Sequence, residues 1–188
     1  VDGRGFVVES DDSEVGYHYE GGCRVAFRGL TDSGKPYRHY FGDGLCVSWH
    51  ANGEKREEGL RADGLKEGVW RRWHPNGILS DRMEYLHGEL HGRWIEWHEN
   101  GRKKSEVHLK RGEPDGIWYE WHEDGQRRFT GLFKLGERIG FWEGWHENGR
   151  KWFRKGYRSD ELSGPCQWWM RDGTLRVQGY FIGGIPVN

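Results

Sequence analysis

This sequence has almost no net charge, few cysteines and no long apolar run. Its 188 residues carry 29 basic and 30 acidic side chains, a formal net charge of −1. This balance argues against nonspecific nucleic-acid binding, which needs a basic surface. No apolar run approaches the roughly 20 residues that span a membrane, and no secretory signal is visible. We therefore expect a cytoplasmic protein that does not bind nucleic acid and has no membrane-spanning segment, and the balanced charge disfavours a membrane as its partner.

Three cysteines are an odd number and do not predict a disulfide framework. Cys46 and Cys166 occupy equivalent positions five repeats apart, a separation on the order of 48 Å in a linear stack of strands. A disulfide needs Cα atoms within about 7 Å. We therefore expect this pair to remain as thiols that fill buried positions.

Tryptophan and glycine are abundant and stand in strict register. Six times a tryptophan is followed four residues later by a glycine, and the copies are 24 residues apart without insertion or deletion. A fixed period of this length is typical of a repeat architecture. The six tryptophans are Trp49, Trp73, Trp97, Trp121, Trp145 and Trp169.

Further rows share the same period. A glycine stands five residues before each of these tryptophans, and a second tryptophan stands three residues before four of them. Cys46 and Cys166 take the place of the second tryptophan in the first and last copies. The second tryptophans are Trp70, Trp94, Trp118 and Trp142.

Asn-Gly or Asp-Gly pairs, such as Asn52-Gly53 and Asp124-Gly125, separate segments that carry aromatic and aliphatic residues. Such pairs predict β-hairpins with type I′ turns, whose two central residues need positive φ. A second glycine row marks the next connection, and the recurrent glycines make helix unfavourable. The predicted fold is all-β: an elongated single antiparallel sheet of tandem 24-residue hairpins, about 55 Å long for twelve strands.

Paired tryptophans three residues apart leave two arrangements open. Either both faces of the sheet carry an aromatic row, or a bulge brings the two rows onto one face. Residues 41–188 are predicted to hold six hairpin repeats with a C-terminal cap, where Pro186 would blunt the last edge. Residues 1–40 fit the period poorly and are predicted to form a degenerate N-terminal repeat or cap, with short strands at 6–9, 15–19 and 37–41 and a turn at 32–35.

Three chemical interpretations compete with a purely structural one. A histidine follows five of the six tryptophans, but equivalent residues about 9.6 Å apart are too distant to share a zinc ion, so a structural role near the turn is favoured. Residues 29–35 match most of a phosphate-binding loop, yet Pro36 replaces the required Ser or Thr and no helix pattern follows. No nucleophile and base stand out. We expect neither enzyme activity, nor a metal, nor a cofactor.

The motif Gly-x-Trp-x-x-Trp-His-x-Asn-Gly, followed by a return segment with its own glycines, resembles the MORN repeat family over residues 44–184. It looks most like the bacterial variant found in antitoxin or immunity proteins. The resemblance implies a sheet of hairpins and offers no catalytic motif. Residues 1–40 lack the motif, and the two cysteines depart from it.

The resemblance implies a protein-binding module, an antitoxin or immunity protein that neutralises a partner toxin by steric occlusion. The alternative is a scaffold or membrane-peripheral module that binds lipids or assembles other proteins. Tryptophan and arginine dominate the energetic centres of protein interfaces. The predicted partner contacts are tryptophans of the second row and residues two positions beyond one, on the same face of a strand: Trp94, Trp118, Trp142, Arg72, Glu96 and Glu120.

Overall fold

The computed structural model describes residues 44–187 in full and, before them, the backbone of four short strands. These are β1 (Phe6–Val7), β2 (Gly16–Glu20), β3 (Cys23–Phe27) and β4 (Tyr40–Phe41), which form a sheet of their own in that order. Each of the three strands predicted before residue 41 is found in part. The turn predicted at 32–35, within the segment that resembles a phosphate-binding loop, lies outside the described residues.

Fifteen further strands form one open antiparallel sheet, which confirms the predicted all-β class. No described residue is helical, so none of the described segments offers a helix that could cross a membrane. The strands are β5 (Gly44–Trp49), β6 (Lys55–Ala62), β7 (Leu65–Trp73), β8 (Leu79–Leu86), β9 (Glu89–Leu90), β10 (Gly92–Trp97), β11 (Lys103–Lys110), β12 (Glu113–Pro114), β13 (Gly116–Trp121), β14 (Arg127–Lys134), β15 (Glu137–Trp145), β16 (Lys151–Arg158), β17 (Glu161–Trp169), β18 (Leu175–Ile182) and β19 (Ile185–Val187).

Neighbours in the sheet follow chain order, apart from the two-residue strands β9 and β12, which pair only with β8 and β11. The chain divides into two compact units, Val1–His91 and Gly92–Asn188. Within the fifteen-stranded sheet, connections of one to five residues join successive strands, so in each unit successive hairpins of this sheet pack side by side.

The Asn-Gly and Asp-Gly pairs lie at strand reversals, as predicted, but the predicted type I′ geometry is wrong there. In the first repeat, Gly53 N–H donates to His50 O at 2.9 Å and His50 N–H donates to Glu54 O at 2.8 Å. Gly53 has a φ of 86°, whereas Asn52 is not among the residues of positive φ in the described range. This pattern is a type I turn followed by a glycine bulge, which needs one residue of positive φ instead of two.

The type I′ geometry lies instead at the second connection of each repeat. His87 and Gly88 have φ values of 51° and 83°, and the flanking Leu86 and Glu89 are paired across the hairpin. Two consecutive residues of positive φ between paired strands define this turn. The equivalent turns are Asp63-Gly64, Arg111-Gly112, Leu135-Gly136, Ser159-Asp160 and Gly183-Gly184.

Leu135 occupies the strained position of one of these turns, and its replacement by asparagine is expected to stabilise the fold. Its φ is 51° and its side chain is 59 % exposed, so little packing offsets the strain of a left-handed leucine. Asparagine tolerates this conformation, and we expect Leu135→Asn to raise the free energy of unfolding by about 1 kcal/mol. Urea denaturation measures the change. Leu135→Ala keeps the strain, so equal gains in both variants would contradict this explanation.

The two tryptophans of a repeat lie on opposite faces of the sheet, which decides between the two arrangements left open by the sequence. The ring of Trp118 lies 5.5 Å from that of Phe133 and 6.4 Å from that of Trp142. The ring of Trp121 instead lies 5.7 Å from that of Tyr119. Because Tyr119 follows Trp118 directly in β13, the two contacts are made on different faces.

On the sheet face that carries Trp118, aromatic rings of the second unit pack against one another. We call this cluster the aromatic layer; it consists of Trp118, Phe129, Phe133, Trp142 and Tyr157. Trp142 is 8 % exposed and its ring centre lies 4.9 Å from that of Phe133, nearly perpendicular to it. Gly131 lies directly beneath, and a Cβ atom placed there would come within 2.1 Å of the Trp142 ring. The absence of a side chain at Gly131 therefore makes room for the ring.

Cys46 and Cys166 are both fully buried, as predicted. Cys166 is a free thiol. Cys46 is disulfide-bonded, so the prediction that it remains a thiol is wrong. Its partner lies outside the residues whose side chains are described. The distance between Cys46 and Cys166 excludes only a bond between these two residues, and the third cysteine of the sequence precedes the repeats.

Candidate interaction groove

An open groove with a volume of about 840 Å³ lies at the turn ends of the second unit. It crosses four neighbouring hairpins, from the turn after β10 to the turn after β17. Three histidines that follow the tryptophans line it, together with aromatic, basic and acidic side chains. The histidines are His98, His122 and His146.

An irregularity in each hairpin supplies the groove with a further side chain. The pairing register shifts beside the turn, so that one residue of the returning strand has no residue opposite it. Such a bulge turns its side chain away from the regular alternation of the strand. The residues at this position in three successive hairpins are Lys104, Arg128 and Trp152, and all three line the groove.

The histidine rings bond to the neighbouring repeat. His98 Nε2 lies 3.1 Å from the backbone oxygen of Trp121, to which the ring donates as its Nε2–H tautomer. The same contact joins His50 to Trp73 at 2.7 Å, and His122 and His146 to the tryptophans 23 residues beyond them at 3.1 Å. Each ring thus links one turn to the next, the structural role that the sequence predicted. In residues 44–187 no group of three or more His, Cys, Asp or Glu side chains is arranged to hold a metal ion.

The turn asparagines add a parallel set of bonds. Asn100 Nδ2 donates to Glu123 O at 2.8 Å, and its Oδ1 accepts from Arg102 N–H at 2.9 Å. Asn52 and Asn148 donate in the same way to residues 23 positions further along the chain. Asp124 holds the equivalent position but has no N–H to donate, although its Oδ1 accepts from the backbone N–H two residues later as the asparagines do.

Replacing a turn asparagine by aspartate, and the turn aspartate by asparagine, should therefore change the free energy of unfolding in opposite directions. Asn100→Asp loses the bond to Glu123 O and is expected to lower the free energy of unfolding by about 1 kcal/mol. Asp124→Asn gains the equivalent bond to Glu147 O and should raise it by about 0.5–1 kcal/mol. Urea denaturation of both variants at neutral pH tests the pair. Shifts of the same sign would contradict this bonding scheme.

The basic residues of the groove are already engaged by carboxylates. Lys104 Nζ lies 3.6 Å from Glu96 Oε1, and Arg128 donates to Glu120. Arg171 Nη2 lies 3.8 Å from Glu147 Oε2. Two acidic side chains of the lining, Glu123 and Asp124, have no ion pair within residues 44–187. Among the lining residues the unneutralised charge is therefore negative, while Arg102, outside the lining, donates to the backbone oxygen of Glu123 at 3.3 Å.

The six predicted contact residues lie in different environments. Glu120 lines the groove, and Glu96 lies beside it, accepting from Ser105 Oγ and pairing with Lys104. Trp118 and Trp142 belong to the aromatic layer, and Trp94 occupies the equivalent position in β10. Trp142 is buried, so the ring supports the layer from within. As partner contacts, all six residues stay predictions.

Arg72 belongs to a charged cluster in the first unit. Its Nε lies 3.1 Å from Glu57 Oε1, and Lys66 Nζ lies 2.6 Å from the same oxygen. Burial raises the pKa of Glu57, but the hydrogen bonds and charges of Lys66 and Arg72 outweigh it, so the pKa falls below its usual value. Burial lowers the pKa of Lys66, whose ammonium also lies 3.9 Å from the centre of the Trp70 ring. Arg72 is therefore part of an ion pair within the chain.

The bulge position, and with it Trp152, is not among the contact residues predicted from the sequence. This tryptophan belongs to neither tryptophan row, because the equivalent residues in other repeats are Arg56, Ser80, Lys104, Arg128 and Arg176. A large aromatic residue at a position that is otherwise polar was the available signal. Trp152 is 43 % exposed.

The fold and the groove define a protein of tandem β-hairpin repeats whose exposed surface includes the turn ends. The profile of the MORN repeat variant matches three tandem segments, residues 66–87, 90–111 and 114–135, which begin 24 residues apart. Such repeats are consistent with a protein-binding repeat module. No curated protein matches the chain.

Proposed function

We propose that this protein is an antitoxin or immunity protein, which binds a partner toxin and blocks it sterically without catalytic activity of its own. The groove of the second unit is the proposed contact surface. The observation that carries this choice is Trp152, a large ring that is 43 % exposed among charged side chains of both signs. Exposed tryptophan surrounded by polar residues is typical of the energetic centre of a protein interface.

The test uses the protein encoded by the adjacent gene as the partner. Size-exclusion chromatography should show a complex, and titration calorimetry should show at least about tenfold weaker binding for Trp152→Ala. Phe141→Ala is the matched control, because Phe141 is 45 % exposed and lies outside the groove lining. Co-expression should restore the growth of cells that make the toxin. Absence of a complex would refute the antitoxin role. Equal losses of affinity for Trp152→Ala and Phe141→Ala would refute the groove as the contact surface.

A further inference from the structure

Several tryptophan rings of the sheet lie beside cations of the chain itself. Lys55 Nζ lies 5.0 Å from the ring centre of Trp73, and Lys103 Nζ lies 5.3 Å from that of Trp121. Lys151 covers Trp145 at 5.8 Å in the same way. Cations within about 6 Å of an indole ring are attracted by its π-electrons. An ammonium group of the chain therefore already lies beside each of these three indole rings, two of which, Trp121 and Trp145, line the groove.

Trp152 departs from this arrangement. Its ring contacts only two other rings, those of His146 at 5.9 Å and Phe153 at 5.1 Å, and no cation of residues 44–187 lies over it. The ring is 43 % exposed and faces the groove. A cation supplied by a partner therefore finds here an exposed part of an indole ring over which no cation of the described residues lies.

The charge of the groove favours the same kind of partner. Its three basic side chains are paired internally, whereas Glu123 and Asp124 are not. These two carboxylates belong to the turn of the hairpin before Trp152, and Glu147 lies at the turn of its own hairpin. Adjacent hairpins are about 9.6 Å apart along the sheet, two strands of about 4.8 Å each, so the two carboxylates lie one hairpin's width from Trp152, at the turn end. The residue equivalent to Trp152 in that hairpin is Arg128, whose charge is already paired with Glu120.

This spacing matches an extended peptide. A polyproline II segment rises about 3.1 Å per residue with three residues per turn, so every third side chain points the same way about 9.3 Å further along. Such a segment, laid along the groove, presents one side chain to each hairpin. We propose that the groove binds a basic, extended segment of a partner protein with Arg or Lys at every third residue, one cation lying over Trp152 and the next beside Glu123 and Asp124. This assignment rests on the proposed protein-binding function and names the chemistry of the partner.

The probe is a fluorescein-labelled peptide of four Arg-Pro-Pro units, and fluorescence anisotropy with the complete chain measures its binding. We expect saturable binding that weakens as salt is added. The same peptide with citrulline in place of arginine keeps the shape without the charge and should bind at least about tenfold more weakly. A peptide of equal composition with its four arginines adjacent should also lose affinity, because it matches the hairpin spacing at one position only.

Variants of the chain locate the site. Trp152→Leu should weaken the peptide about tenfold, while Phe141→Leu, which alters an equally exposed ring outside the groove, should leave it within about twofold. The double variant Glu123→Gln with Asp124→Asn should weaken peptide binding by about the same factor. The control is the double variant Glu89→Gln with Asp63→Asn, which changes two exposed acidic residues outside the groove and should leave peptide binding within about twofold. Near-ultraviolet circular dichroism establishes that each variant is folded.

Three results would overturn the inference: equal binding of the citrulline peptide, equal effects of Trp152→Leu and Phe141→Leu, or no saturable binding of the arginine peptide. Its failure is distinguishable from failure of the proposed function. If the adjacent gene product binds in a Trp152-dependent manner but the arginine peptide does not, the proposed function stands and the basic segment is wrong. If the arginine peptide binds in a Trp152-dependent manner but the adjacent gene product does not, the basic-segment site stands and the antitoxin role is wrong.

Discussion

Replacement of Trp142 by alanine is expected to lower the free energy of unfolding by about 3–5 kcal/mol. The ring is 8 % exposed and lies in the aromatic layer, 4.9 Å from the ring centre of Phe133 and 6.2 Å from that of Tyr157. Its removal leaves a cavity above Gly131, which has no side chain to fill it. Urea denaturation followed by far-ultraviolet circular dichroism measures the loss.

Trp152→Ala is the control for this substitution. It removes an indole of the same size, but one that is 43 % exposed, so we expect a loss below about 1 kcal/mol. Losses of equal size at the two positions would show that the aromatic layer does not carry the stability assigned to it.

Addition of a single methyl group at Gly131 is expected to be nearly as harmful. In Gly131→Ala the new Cβ would lie 2.1 Å from Cδ2 of Trp142, far inside van der Waals contact. The ring cannot move away, because Phe133 and Trp118 pack against it. Overpacking of this kind should cost about 3 kcal/mol, measured by urea denaturation as above. Gly131 is not among the glycines of positive φ, so the cost is steric and does not come from backbone strain.

Gly179→Ala provides the matched control in the last repeat. There the added Cβ meets only the edge of the Phe181 ring, at 3.3 Å, and we expect a change below about 1 kcal/mol. A further check is the double variant Gly131→Ala with Trp142→Ala. Because removal of the ring also removes the clash, its loss should be smaller than the sum of the two single losses. Additive losses would contradict a direct contact.

The strands and the places where they reverse were predictable from the sequence, because both follow from periodicity and from Asn-Gly or Asp-Gly pairs. The turn types were not. A three-residue turn with a glycine bulge uses the same residues as a type I′ turn, and Asn52 supports it by accepting the backbone N–H of Glu54. The type I′ turns fall on pairs such as Arg111-Gly112 and Leu135-Gly136, whose first residues seldom adopt positive φ.

The candidate site was less predictable than the fold. The histidines were correctly given a structural role, because their spacing follows from the repeat length. The groove depends on one extra residue in each returning strand, and this shift of register is a property of the paired backbone. No residue type shared by Lys104, Arg128 and Trp152 marks such a shift. The sequence shows that Trp152 is an unusual aromatic residue at its position, but it does not show that the ring lines a groove.

The bonds described above from histidine rings and turn asparagines all reach residues 23 positions ahead. Excision or duplication of 24 residues, or of a multiple of 24, therefore brings each donor beside an acceptor of the same type, whereas a change of another length misaligns the donors and acceptors on either side of the junction. Genes of this kind can lengthen or shorten by unequal recombination in whole units, and each event adds or removes one hairpin's width of surface.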